Sequence, residues 1–230
     1  MAVVTQFAPS TWAVPSPPAA EGDPLARRLG RTVLGRLGGS VRASLLDDRT
    51  LAALQEEAAG QAVHATQMLV ARRLTGDGYR GDPDRWLDSA PGGPALHAFY
   101  HAPHVLELLR SLTGLTWRTT GETGSFSYYR RPGHHLGLHR DIETCELAII
   151  TCLRDDRPSP RSAGGVLCLY PSRSAETLAD IQGSFDTGLV EVRLAPGESI
   201  VLLGGIVPHR LTPVIEGQAR IITPLCYRTI

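Results

Sequence analysis

His139, Arg140 and Asp141 close the run GLHRD, and the first and third of them are of the types that could do chemistry together. On a strand, positions two apart point to the same face, so the imidazole of His139 and the carboxylate of Asp141 can reach one metal ion. A donor from a facing strand would complete a set of two histidines and one carboxylate. That facial set leaves coordination positions open and is the pattern of non-haem iron(II) centres that take up further ligands and O2. His209 stands 70 residues downstream in VPHRLTPV, just after the apolar run SIVLLGG, where a strand opening would present the third donor. Arg220 follows eleven residues later at the head of RIITPLCY. An arginine buried beside a metal needs an anion, because an uncompensated interior charge is strongly unfavourable. A carboxylate matches the guanidinium fork in a bidentate manner, and the distal carboxylate of 2-oxoglutarate is one that would serve.

The elements that must position these residues can be read from patterning. After Gly114 the chain breaks into eight short β-like runs separated by turn residues, roughly 125–130, 137–141, 146–153, 166–170, 189–194, 199–203, 209–213 and 220–227. This is the texture of a double-layered jelly roll. Its longest polar interruptions, 154–163 and 171–188, are expected to form the mouth over the metal together with the preceding helices. From Pro24 to Gly114 the pattern is helical. Asp48 is placed to cap a helix carrying Leu51, Leu54, Ala58 and Ala62, and a second helix has Pro103 at its first position, a stripe of Val105, Leu106, Leu109 and Leu112, and Gly114 at its C-terminal cap. Residues 1–23, rich in Pro, Ala and Ser without periodicity, read as a flexible arm. The expected organisation is therefore an arm (1–23), a helical region (24–114) and a barrel core (115–230), with 24–230 forming one domain.

Composition narrows the partners. The 230 residues carry 23 basic and 23 acidic side chains, so no electrostatic excess recruits nucleic acid or an anionic membrane, and a small molecule is the expected partner. Every basic residue is arginine; the group Arg27, Arg28, Arg31 and Arg36 reads as a solvated helix face. Cys145, Cys152, Cys168 and Cys226 all lie in apolar β-like runs without a C-x-x-C pair, and no signal-peptide pattern opens the chain. Buried free thiols in a bacterial cytoplasmic protein are expected. No apolar stretch reaches the roughly 20 residues that a membrane span needs.

Taken in order, four blocks resemble one family. SYYRRPGHHLGLHRD, SAGGVLCLY, APGESIVLLGG and HRLTPVIEGQARIIT are similar to segments of the iron(II)- and 2-oxoglutarate-dependent dioxygenases, in particular their prolyl-hydroxylase-like branch, over roughly 97–227. The resemblance implies an α+β fold: a double-stranded β-helix barrel, jelly-roll and cupin-like, with an N-terminal helical region packed on it. It implies Fe(II) held by His139, Asp141 and His209, with Arg220 anchoring 2-oxoglutarate and Tyr129 hydrogen-bonding the same distal carboxylate. Family members often place the arginine where this chain has Gln218, and the plant-type Arg-x-Ser version has a serine where this chain has Ile222. Thr151, on the run 146–153, is a candidate second partner of the carboxylate. The implied reaction is oxidative decarboxylation of 2-oxoglutarate by O2, giving succinate and CO2, coupled to oxidation of a substrate. Family halogenases carry a small residue in place of Asp141, so its presence favours hydroxylation or a related desaturation, ring closure or epoxidation. The expected substrate is a small metabolite, such as a free or carrier-bound amino acid in a biosynthetic pathway. Three readings compete: a non-catalytic cupin-like ligand-binding module, a nucleic-acid-acting dioxygenase of the same fold, and a zinc metallohydrolase.

The remaining candidates have plainer readings. His134 and His135 adjoin the proposed site but read as solvated loop residues, with His135 the better placed for a substrate contact. His101 and His104 sit near a helix start without an H-E-x-x-H pattern, which argues against zinc, and His64 and His97 read as surface residues. Tyr128 and Tyr129 must face opposite ways on one strand, so only one can line the barrel. Arg210, next to His209, must likewise point away from it.

Overall fold

The computed structural model describes residues 3–5, 24–71, 83–159 and 164–230. The arm expected over 1–23 lies outside the described residues except for a short strand, β1 (Val3–Thr5). Helices α1 (Pro24–Gly30) and α2 (Val33–Arg36) lead into β2 (Ser40–Ser44). Then come α3 (Asp48–Gln61), the hairpin of β3 (Thr66–Val70) and β4 (Arg85–Pro91), and helices α4 (Pro94–Tyr100) and α5 (Pro103–Thr113). The segment 24–114 is thus not purely helical: β2, β3 and β4 join the sheet. Their runs of five to seven residues are too short, and their helix neighbours too close, for a window of helical length to resolve.

The helix ends follow capping chemistry. The Asp47 side chain accepts from Thr50 N at 2.7 Å, so the cap of α3 is Asp47 and the helix begins at Asp48, one position earlier than the pattern suggested. Helix α5 ends as expected on Gly114, in the left-handed conformation at φ 69°. At α4 the capping group comes from another helix. The Glu57 carboxylate accepts from Gly93 N, Ala95 N and Leu96 N at 3.0, 2.6 and 3.0 Å, tying α3 to the start of α4.

The remaining strands are β5 (Trp117–Thr119), β6 (Ser125–Tyr129), β7 (His135–His139), β8 (Leu147–Asp156), β9 (Leu167–Leu169), β10 (Val190–Val192), β11 (Glu198–Leu202), β12 (His209–Leu211) and β13 (Ala219–Thr229), with helix α6 (Leu178–Gln182) before β10. All eight runs expected after Gly114 are strands. They pair in the order β1-β2-β11-β8-β13-β6-β4-β7-β12-β9-β10, and β4 bridges the halves by pairing with β6 through Asp88–Pro91 and with β7 through Arg85 and Trp86. The result is a curled antiparallel sheet, a double-stranded β-helix with helices packed on its larger half.

Alternation separates two interiors. On β8 and β13, Ala148, Ile150, Ile222, Pro224 and Cys226 line a cavity. Their neighbours Leu147, Ile149, Leu225 and Tyr227 are fully buried on the opposite face. The helices close that face: the Tyr227 hydroxyl donates to Tyr100 O, and Tyr128 on β6 donates to Ala58 O. A second apolar cluster, Leu138, Val166, Cys168, Tyr170, Leu178 and Ile181, covers the outside of the smaller half.

The thiol expectation is corrected in one respect. Cys145 and Cys226 form a disulfide across a sequence separation of 81, while Cys152 and Cys168 are free and buried. Partners so far apart in sequence leave no spacing signature, so the pairing emerges only when β13 runs past the loop before β8. No described helix is long and apolar enough to cross a membrane. A cross-link closing a loop of this length stabilises by about 4 kcal/mol in the chain-entropy treatment. Cys226→Ser is therefore expected to lower the free energy of unfolding by about 2 to 5 kcal/mol in urea titration. An unchanged midpoint, with four alkylatable thiols in the unreduced wild type, would contradict the pairing.

Candidate metal centre and ligand cavity

The site is assembled where β7 meets β12. His209 pairs directly with His139, but two residues further along β12 Leu211 pairs with Leu136, three residues back along β7. One extra residue is therefore accommodated on β7. Without it, Leu136 and His139 would face opposite sides of the strand; with it, both line the cavity. Asp141, two positions on and just past the end of β7, lines the same cavity. The donor atoms of His139, Asp141 and His209 lie within 4.8 Å of one another. His139 Nε2 and His209 Nε2 stand 3.4 and 3.7 Å from Asp141 Oδ1, and the imidazole centroids are 4.1 Å apart.

The surroundings prepare these groups as donors. His139 Nδ1 hydrogen-bonds Gly137 O and His209 Nδ1 hydrogen-bonds Val207 O, each at 2.9 Å. A carbonyl at Nδ1 holds the proton there and leaves the Nε2 lone pair free to face the centre. Burial, followed by the neighbouring His139, pushes the pKa of His209 down to about 4 against the opposing pull of Asp141. His209 is thus a neutral imidazole at neutral pH. The Asp141 backbone N–H donates to Gly204 O at 2.8 Å. A Cβ at position 204 would lie 1.8 Å from Asp141 Oδ2, so only glycine leaves room for the carboxylate.

The cavity they open into measures about 440 Å³. Strand parity sets its walls: Arg85, Leu87 and Ser89 from β4, Ser125, Ser127 and Tyr129 from β6, and Arg220 with the even positions of β13. Arg220 is 1% exposed, and its Nε and Nη1 make no hydrogen bond. Buried Asp155 lies 3.5 Å from Nη1, but that carboxylate accepts from Arg157 Nε at 2.6 Å and from Gln218 Nε2 at 3.3 Å. Orphaned donors on a buried guanidinium facing a cavity are the feature that a ligand carboxylate would complete. Tyr129 pairs with Arg220 across β6 and β13. Burial holds its phenol well above the usual range, against the pull of Arg220 and Arg85, so it stands ready as a hydrogen-bond donor.

Several expectations are corrected here. Thr151 faces away from the cavity, with its hydroxyl 2.8 Å from Ser199 Oγ, so it cannot partner a ligand beside Arg220. Gln218, which takes the position where a family arginine often stands, holds a turn through Gly164 O and Ile215 N. His134 is not solvated but fully buried, edge-on to Trp86 at 4.8 Å. Of the two connections expected at the mouth, 171–188 contributes no residue to the cavity and packs α6 onto the outer face of the smaller half. Polar composition did not reveal that Leu178 and Ile181 would be buried there. Residues 160–163 of the other connection lie outside the described residues. The wall that the pattern missed is the β3–β4 hairpin, which brings Met68, Pro83, Arg85, Leu87 and Ser89; the alternation of Arg85, Leu87 and Ser89 is its sequence signal. Arg210 points away from the centre as expected, with its guanidinium 3.9 Å over the Phe185 ring.

No family model and no curated protein matches the chain. Solved structures do. The chain is similar to the epimerase SnoN of nogalamycin biosynthesis, in complex with Fe3+, alpha ketoglutarate and nogalamycin RO, at 16% identity and TM-score 0.64 over 93% of this chain and 84% of that one. A Pseudomonas putida prolyl-4-hydroxylase matches at 19% identity and TM-score 0.55, covering 84% of this chain and 93% of its own. HygX from Streptomyces hygroscopicus, with nickel, 2-oxoglutarate and hygromycin B bound, matches at 13% identity and TM-score 0.58 over 83% of each chain. At these identities the likeness establishes the fold. This chain shares the double-stranded β-helix architecture of these proteins.

Gly204→Ala tests the fit at the carboxylate. It is expected to displace Asp141 and weaken Co(II) binding about 10-fold or more, as measured by calorimetric titration. Binding equal to wild type would show that Asp141 has room to move and that the close approach is unimportant.

Proposed function

We propose that this protein is an Fe(II)- and 2-oxoglutarate-dependent oxygenase acting on a small molecule, with hydroxylation of a free or carrier-bound metabolite such as an amino acid as the favoured outcome. One observation carries the reading: two histidines and a carboxylate converge at the wall of a cavity that also contains a buried arginine with unsatisfied donors. A hydrolytic zinc centre would account for the first feature and leave the second unexplained.

In this reading His139, Asp141 and His209 hold the metal. The donor set is hard to borderline in character and incomplete on its own, which suits iron(II) and leaves positions for exogenous ligands. Iron bound there, with 2-oxoglutarate and O2 as co-substrates, supplies two-electron oxidation of a substrate C–H bond as 2-oxoglutarate becomes succinate and CO2. Arg220 binds the distal carboxylate through its unsatisfied Nε and Nη1, and the protonated Tyr129 phenol donates to the same group. The carbonyls of Gly137 and Val207 keep both imidazoles oriented. The apolar walls from Leu87, Ile150, Leu167 and Ile222 exclude bulk water and give a substrate few hydrogen-bonding positions beyond Ser89, Ser125 and Ser127. Such a wall orients a substrate mainly by shape, which is the protein's part in selecting one C–H bond.

The test is anaerobic addition of Fe(II) and 2-oxoglutarate to the metal-free protein, admission of O2, and a succinate assay over a panel of amino acids and other small metabolites. Substrate-stimulated succinate release is expected. No binding of 2-oxoglutarate and no succinate under any condition would reject the reading. His139→Ala, Asp141→Ala and His209→Ala should each abolish release with an unchanged far-ultraviolet spectrum. Arg220→Leu removes a charge-assisted pair worth about 2 to 5 kcal/mol, so the KM for 2-oxoglutarate should rise about 30-fold or more while the substrate KM moves far less. An unchanged 2-oxoglutarate KM would place the anchor elsewhere.

A further inference from the structure

Arg140 lies between two of the proposed metal ligands, yet it points away from the cavity and its side chain is 0% exposed. Its Nε donates to Ile206 O at 3.0 Å, and its Nη2 donates to Ser174 O and Glu176 O, each at 2.8 Å. Burying a guanidinium this deeply carries a large desolvation penalty, and packing alone would be served better by an apolar side chain of similar volume. What the arginine adds is geometry, since a planar fork can hold carbonyls from two separate turns in fixed relation.

The first of those turns leads to the third ligand. Two successive residues grip it from the β7 end: Asp141 N donates to Gly204 O, and Arg140 Nε donates to Ile206 O. The next carbonyl along, that of Val207, is the one that orients His209 through Nδ1. The neighbouring Pro208 carbonyl accepts from Tyr170 N, immediately before the turn whose Ser174 carbonyl Arg140 also holds. The strand end bearing His139 and Asp141, the turn bearing the orienting carbonyl of His209, and the 174–176 turn thus meet on one guanidinium.

We propose that Arg140 is a positioning residue that sets His209 against His139 and Asp141 before any metal arrives. The inference rests on the metal-centre reading above and deepens it. It also assigns a role to the 171–188 excursion, which lies away from the cavity but supplies two of the carbonyls that the guanidinium holds.

Arg140→Met, close in volume and without donors, separates positioning from packing. The metal-free variant and wild type are compared by thermal unfolding, by amide hydrogen exchange over 204–209, and by titration with Co(II), read both calorimetrically and from the visible ligand-field spectrum. The expected result is a Co(II) affinity about 10- to 100-fold weaker, the range seen when groups that orient metal ligands are removed, with an altered spectrum and faster exchange at Val207 and His209. Lower thermal stability with unchanged Co(II) affinity and spectrum would overturn the proposal and leave Arg140 a packing element. If Arg140→Met does not fold, Arg140→Lys is measured instead. It keeps the charge but reaches fewer of the carbonyls, so an intermediate loss of affinity supports positioning and wild-type affinity overturns it. Failure of the wild type itself to bind Co(II) would reject the metal-centre reading, and this inference with it.

Discussion

The pairing of β7 with β12 is the constraint on which the rest of the site depends. It sets His139 opposite His209, and its one-residue irregularity decides that His139 faces inward. Just past the end of β7, the bond from Asp141 N to Gly204 O accompanies the turn of the Asp141 carboxylate to the side of His139, while Arg140 takes the other. Strand parity distributes labour along β13. Arg220, Ile222, Pro224 and Cys226 face the cavity, while Leu225 and Tyr227 face the helices. A register shift of one residue in either strand pair would exchange chemistry for core. On β13 the long run of paired residues with β8, from Ala219 to Tyr227 with one irregularity at Ile221/Ile222, and the Cys145–Cys226 link resist such a shift.

Buried positive charge is the second organising feature. Arg140, Arg173 and Arg220 are each less than 10% exposed, and each solves desolvation differently. Arg140 holds backbone carbonyls of two turns. Arg173 combines the Glu176 carboxylate with the Ser184 and Asp180 carbonyls, fastening α6 to its own loop. Of these three, Arg220 is the one that retains buried donors without hydrogen bonds. Asp88, 1% exposed, is the converse case, a buried carboxylate held by Arg130 and Arg131 at the end of β6. A lysine ammonium would not reproduce these guanidiniums, because its three donors radiate from one nitrogen and do not span the width of the planar fork. The all-arginine composition therefore has structural uses here, whatever its origin.

Much of this was legible in the sequence, for identifiable reasons. The eight barrel strands announce themselves because each is a short apolar or alternating run cut off by Gly, Pro or Asp, and the convergence of His139, Asp141 and His209 because His-x-Asp at a strand end is followed by a distant His opening another apolar run. Arg220 was legible as a charge in an apolar run. What was hidden depends on contacts between distant segments. The β3–β4 hairpin sits among helices and carries mixed residues, since only one of its faces meets the cavity. His134 looked solvated because nothing local reveals that Trp86 packs against it. The disulfide joins residues whose proximity is a property of the completed barrel. The 171–188 connection looked like a rim for the same reason: its polar residues dominate the count, while Leu178 and Ile181 decide where it goes.

These placements redirect the question of substrate choice. With α6 on the outer face of the smaller half, recognition in the proposed function would rest on other lining residues, among them Met68, Pro83 and Ile142. Met68 and Ile142 are also partly exposed, at 37% and 52%, so the rim itself is apolar. Within, the cavity offers serine hydroxyls on β4 and β6 and one further guanidinium, Arg85, set beside Leu136 of β7 in the sheet. Arg85 and Arg220 both oppose the upward push of burial on the Tyr129 phenol, so two guanidiniums stand near that hydroxyl while Ile150 and Ile222 make an apolar stretch of the wall. A ligand pair that places its anionic group beside these guanidiniums and its hydrocarbon toward Ile150 and Ile222 uses both properties at once. The selectivity of the site is then a matter of shape along the apolar span, where each buried methylene is worth about 0.8 kcal/mol, more than of hydrogen-bond readout.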